Sequence, residues 1–223
     1  MNFDLLLSNP LAYLKIYLSS DNFNLEEQAR AVGNLIVIAW TIYILDWGIG
    51  KGALAWSLGI RPRTVGGLLG IPVAPFLHGL SKTKDGEPDN SHIVGNTIAF
   101  AILGLFIALQ GLRLFYVVTI GIVLISSFGT WLFGREGSIH AGASGVTYGY
   151  TGFLLVYGFI SRNPLAIFLG ALAFLINLRR GWSISGVLPT DAGISWEMHL
   201  FGFLGGILMA YLITYVTLSC CSP

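Results

Sequence analysis

The chemistry open to this chain rests on a few polar side chains set among apolar ones. Ser144 lies in the small-residue run Gly142-Ala143-Ser144-Gly145, at the mouth of an apolar segment, with Tyr148 one turn further on. A serine hydroxyl becomes a nucleophile when a neighbouring base takes its proton. His199 is the candidate base, and it heads a stripe of small residues formed by Gly202, Gly206 and Ala210. His92 and Asn96 are four apart and so share a helix face. Two donors aimed at one point, with the Ser144 backbone N–H at a helix N-terminus, can stabilise the oxyanion of an acyl-transfer intermediate. Each feature also has a plain structural reading. The serine can be incidental to a glycine-rich packing face, the histidine can be hydrogen-bonded within a bundle, and the His92–Asn96 pair can simply bond helices together.

Other chemistries fit less well. No carboxylate completes a triad: Glu197 falls on another side of the His199 helix, Asp191 is in the preceding loop, and Asp46 is near the end of the first apolar segment. This leaves a Ser–His dyad, with Tyr148 either stacking on the imidazole or merely packing. The soluble-esterase elbow requires a glycine where Val146 stands, and no His-Glu-x-x-His run exists for a zinc protease. The four histidines (78, 92, 140 and 199) fall on the Ser144 side, but no cysteine or carboxylate joins them at ligand spacing, so no metal site is expected.

The elements that must hold these groups are membrane helices. Of 223 residues, 54% are hydrophobic and 10% charged, against roughly 25% charged in soluble domains. The chain therefore reads as an all-α polytopic integral membrane protein. Its net charge of +1, without a basic cluster, excludes nucleic-acid binding. Cys220 and Cys221 are adjacent and imply no disulfide framework. Residues 1–24 read as an interfacial segment, with Leu11, Leu14, Tyr17 and Leu18 on one face. Asn24 with Glu27 gives a capping pattern for a first span over 25–47. Five more spans follow at 91–110, 112–133, 144–160, 165–178 and 196–218, and residues 219–223 form a short tail. Spans four and five are short for a bilayer crossing. The long first loop, 48–90, is apolar over Val65–Leu80 and is expected to lie in the interface or dip into the bilayer.

Parity then aligns the polar groups. Spans two, four and six start on one side, which sets His92, Ser144 and His199 at similar shallow depth. Span four presents Gly145, Gly149 and Gly152 toward the small stripe of span six, permitting a close crossing with Ser144 and His199 at its mouth. An even number of spans puts both termini on one side. The terminal side carries four basic residues (15, 30, 113 and 162), and the other carries eight (51, 61, 63, 82, 84, 135, 179 and 180). By the positive-inside rule the count alone puts the termini outside the cytoplasm.

Taken together, Gly142-Ala143-Ser144-Gly145 with Tyr148, His92-x-x-x-Asn96, and His199-x-x-Gly202-x-x-x-Gly206 resemble the rhomboid intramembrane serine proteases. Phe76-Leu77-His78-Gly79 in the long loop extends the likeness over roughly residues 60–212. The resemblance implies a six-helix rhomboid-type bundle around a water-filled cavity. Ser144 would be the nucleophile and His199 the base. His92, Asn96, Gly142 and the Ser144 amide would serve the oxyanion, and Tyr148, Gly145, Gly202 and Gly206 would support the dyad. It implies single-span membrane proteins as substrates, entering laterally near spans two and five, and no cofactor. It also implies cytoplasmic termini with the site on the non-cytoplasmic side, against the basic-residue count. The expected location is a bacterial plasma membrane, with an organelle membrane as the alternative. The alternatives are a non-proteolytic rhomboid-like protein that binds membrane clients, or a small transporter. Three features depart from the family pattern: Met198 beside His199, where the cavity wall is expected to be altered; the missing Trp-Arg pair in the first loop; and the charged stretch Lys82–Asn90.

Overall fold

The computed structural model describes residues 24–82, 88–179, 184–189 and 194–221. All but Asn24 of the interfacial segment expected at 1–24 lies outside the described residues, as do Asp191 and the tip of the charged stretch, 83–87. Helix α1, Leu25–Leu45, opens on Asn24, whose side-chain oxygen accepts the Glu27 N–H at 3.2 Å. Glu26 pairs with Arg30 one turn on. The helix runs on as a π-helical turn, Asp46–Gly50. Asp46 is buried, and its carboxylate accepts the Leu54 and Ala55 N–H groups at 2.9 and 3.1 Å. It therefore caps the start of α2, Ala53–Leu58, and is committed to the loop.

The apolar middle of the first loop is helical. It forms α3, Val65–Leu68, α4, Gly70–Val73, and a 3-10 turn at Ala74–Phe76. The Thr64 hydroxyl caps α3 by accepting the Gly67 N–H at 3.1 Å. A β-carbon on Gly67 or Gly70 would collide with the backbone of residues 59–61, so glycine is what lets this loop fold back on itself. The flanks of the charged stretch pair as a two-residue antiparallel ribbon, β1 (Ser81–Lys82) with β2 (Pro88–Asp89).

Five long helices complete the bundle: α5, Ser91–Ala108; α6, Leu112–Phe133; α7, Ser144–Ile160; α8, Pro164–Arg179; and α9, Trp196–Cys221. Among the described residues four helices are long and apolar enough to cross a membrane: Leu25–Gly50, Ser91–Ala108, Leu112–Phe133 and Trp196–Val216. At 17 and 16 residues, α7 and α8 are shorter, as the sequence requires. Helix α7 is the central post, packed on α5, α6, α8 and α9. Around it Phe115, Ile122, Tyr150 and Phe153 are fully buried, and the Tyr150 hydroxyl meets that of Thr119 at 2.7 Å. Large apolar side chains such as Val37, Ile120, Phe168 and Tyr215 face outward. In water such a surface is a liability, but against acyl chains it is the expected one. The architecture is an all-α polytopic membrane bundle.

Candidate active site

The α7–α9 crossing is made by absent side chains. A β-carbon on Gly202 would lie 2.8 Å from the Gly145 carbonyl carbon, and one on Gly206 equally close to the Gly149 carbonyl carbon. One on Gly149 would lie 2.9 Å from the Gly202 carbonyl oxygen. The two backbones touch over two turns, as small-residue faces allow. Helix α6 joins them where Ser126 Oγ donates to the Met198 carbonyl at 2.9 Å, beside Gly145. This brings Ser144, the first residue of α7, and His199, in the first turn of α9, to the wall of one cavity of about 800 Å³. His92, Asn96 and Tyr148 also line it, with Lys51 as its charged side chain among the described residues.

The His199 ring is held from two sides. Tyr148 stacks on it with ring centroids 4.2 Å apart and planes 14° from parallel. Its Nδ1 lies 2.9 Å from the Gly186 carbonyl oxygen, in a 3-10 turn at Ile184–Val187. A carbonyl can only accept, so Nδ1 carries the hydrogen and Nε2 of the neutral ring keeps its lone pair. A backbone carbonyl thus fixes the ring's tautomer and orientation, as a carboxylate can, but without the negative charge. Gly186 also has to be glycine, because a β-carbon there would strike the Tyr148 hydroxyl and lie 2.9 Å from its ring carbon Cζ. No sequence signal pointed to Gly186, since the group it supplies is common to every residue.

On the facing side, Gly142 adopts φ +119, where side chains are strained. Its N–H donates to the Ala74 carbonyl at 2.9 Å, and a β-carbon there would lie 3.1 Å from the His92 ring. The turn before Ser144 is therefore seated directly on His92 and Asn96. Asn96 Nδ2 lies 3.0 Å from His78 Nε2 and 3.2 Å from His92 Nε2, and the two rings meet edge to face at 5.4 Å. The Asn96 amide is thus held between two imidazoles. His78, singled out in the sequence only as part of a loop motif, is the third member of this cluster. Burial, reinforced by nearby His92, pushes its pKa down to about 4, so it is neutral at physiological pH.

One sequence expectation changes, and another gains a partner. Met198 is 1% exposed and packs with Ile60, Ala74 and Trp131, away from the cavity lining. Neighbouring helix positions point about 100° apart, so the side chain beside His199 faces the helix packing and leaves the cavity wall unaltered. Glu197 faces away from the dyad as expected, but it is engaged: it is buried and bonded by Arg135 Nε at 2.7 Å. Among the described residues no group of three or more His, Cys, Asp or Glu is placed to hold a metal ion.

Comparison with known proteins matches residues 89–216 to the Rhomboid domain, which leaves α1 and most of the first loop outside the match. Uncharacterized proteins from Mycobacterium tuberculosis and Mycobacterium bovis are 35% identical over 164 residues, 70% of this chain and 63% of theirs. One from Mycobacterium leprae is 35% identical over the same span, covering 60% of its length. This chain therefore spans less than two thirds of these relatives. With the domain match covering more than half of the chain, and the Ser144, His199, His92 and Asn96 side chains gathered at one cavity, the protein belongs to the rhomboid family of integral membrane proteins.

Proposed function

We propose that this chain is an intramembrane serine endopeptidase that cleaves single-span membrane proteins in or near their membrane segment. The observation that carries the reading is the His199 ring, clamped by Tyr148 and fixed by Gly186 in the tautomer that leaves Nε2 basic, on the same cavity wall as Ser144. His199 Nε2 takes the Ser144 proton as Oγ attacks the scissile carbonyl. The Ser144 N–H, at the N-terminus of α7, and the His92–Asn96 pair stabilise the oxyanion, one Asn96 N–H turning from its imidazole partner to the oxyanion as substrate enters, with Gly142 allowing their close approach. His199 then gives its proton to the leaving amine, and a water activated by the same ring hydrolyses the acyl-enzyme. The 800 Å³ cavity supplies that water inside an apolar bundle. We place the chain in a bacterial plasma membrane with cytoplasmic termini and the cavity on the far side. The basic-residue count opposes this orientation, but several of the residues it counts lie in the long first loop, where the rule is weak.

The test is cleavage of a single-span reporter by purified protein in liposomes. Ser144→Ala and His199→Ala should each abolish cleavage while the protein still inserts and unfolds at the wild-type temperature. Cleavage by Ser144→Ala would overturn the reading.

A further inference from the structure

The loop from α6 to α7 grips the start of α9 as well as delivering Ser144. His140 is its buried centre, 1% exposed and away from the cavity lining. Its backbone is pinned by a two-bond bridge with Ile60, each N–H to O distance being 2.9 Å. Its ring sits in a chain of hydroxyls whose direction can be worked out. Ser138 Oγ lies 2.5 Å from the Arg135 carbonyl oxygen, which can only accept, so the Ser138 proton points there. Ser138 Oγ must then accept from His140 Nε2, 2.7 Å away. That puts the neutral ring's hydrogen on Nε2, and Nδ1 accepts from Ser195 Oγ at 2.9 Å. Ser195 is the cap of α9: its carbonyl accepts the first backbone bond of the helix, from the His199 N–H at 3.2 Å. The same loop holds the residues on either side. Arg135 Nη2 donates to the Ile194 carbonyl at 2.7 Å, and Arg135 Nε to Glu197 at 2.7 Å.

We propose that His140 is a positioning residue for His199: by holding the Ser195 cap against the loop that ends at Ser144, it sets the height and rotation of the first turn of α9. The glycine crossing fixes how close α7 and α9 come, and the His140–Ser195 bond fixes where the turn bearing the base stops. His140 does not face the cavity, so it acts on the reaction only through the turn it holds. The inference rests on the proposed protease activity.

The test uses the full chain in liposomes with a single-span reporter and, separately, a fluorophosphonate probe. The variants are His140→Ala, Ser195→Ala, their double, and Ser195→Thr, which keeps the hydroxyl. Each single Ala variant should lower kcat about 10-fold, the scale expected when a base is displaced by a fraction of an ångström, with KM within about twofold. Probe labelling should slow in parallel. The double should be no slower than the slower single, and Ser195→Thr should recover kcat to within about threefold of wild type. Singles that multiply to about 100-fold in the double would overturn the proposal. So would a rise in KM at constant kcat, which would make Ser195, at the cavity wall, a substrate contact. Losses that follow the folded fraction in a thermal melt would also overturn it. Should His140→Ala fail to fold, Ser195→Ala against Ser195→Thr decides by the same criteria. An active wild type with unaffected singles sinks the positioning role alone, whereas an inactive, unlabelled, folded wild type sinks the protease reading and this one with it.

Discussion

Replacing Gly202 by alanine tests whether the α7–α9 contact sets the dyad. The new β-carbon would start 2.8 Å from the Gly145 carbonyl carbon and closer still to its oxygen. Carbon pairs settle at about 3.5–4.0 Å. Both colliding atoms are backbone, so no side-chain rotation relieves the clash, and the helices must part by about 1 Å. Overpacking of this kind costs about 1–3 kcal/mol of stability. A misplacement of about 1 Å between reacting groups costs on the order of 10²-fold in rate. Gly202→Ala should therefore lose far more activity than fold: kcat on a single-span reporter down about 100-fold, with the thermal midpoint lowered but a cooperative transition retained. Gly33→Ala is the control. Gly33 lies mid-helix in α1 with nothing within 4 Å of a built β-carbon, so alanine there should leave the rate unchanged and add up to about 1 kcal/mol of helix propensity. Wild-type kcat in folded Gly202→Ala would refute the argument that this crossing places Ser144 and His199.

Other outcomes follow from the same geometry. Tyr148→Phe keeps the stack on His199 and should hold kcat within about threefold, whereas Tyr148→Ala removes an aromatic pair worth about 0.5–1.5 kcal/mol and should lower kcat by up to about 10-fold, measured at saturating reporter. Arg135→Ala leaves the Glu197 carboxylate buried without the guanidinium that bonds it, the residue 135 backbone N–H, 3.2 Å away, remaining as a donor. It should cost about 3 kcal/mol of stability, read as a lowered unfolding midpoint in detergent. Burial holds His78 at about 4, below the ordinary 6.5, so the folded protein favours the neutral ring. Its contribution is full above pH 6.5 and is lost as pH falls toward 4. His140, also pushed down by burial, adds in the same direction. Thermal stability should therefore fall with acidification across that window, and His78→Gln should flatten the fall.

Much of the site was legible because depth in a membrane bundle follows from counting spans. His92, Ser144 and His199 start alternate helices on one side, and the glycine spacing on two of them marks a contact. The rest was hidden for physical reasons. Gly186 orients His199 through a carbonyl, which no side-chain pattern reveals. Asn96 is held between His92, one turn away, and His78, which comes from the first loop. Met198 looked suspect because it adjoins the base in sequence, but a helix turns neighbouring residues to different faces, and this one faces Ile60 and Ala74. Asp46 read only as a carboxylate near the end of the first span, because no sequence pattern shows the π-helical turn that carries it over the start of α2.

The most direct test of the account is covalent labelling of the full chain in liposomes by a fluorophosphonate, with the modified peptide identified by mass spectrometry. The account predicts a single adduct on Ser144, lost in both Ser144→Ala and His199→Ala while each remains folded. Undiminished labelling of Ser144→Ala, or a folded wild type that takes up no probe, would contradict it.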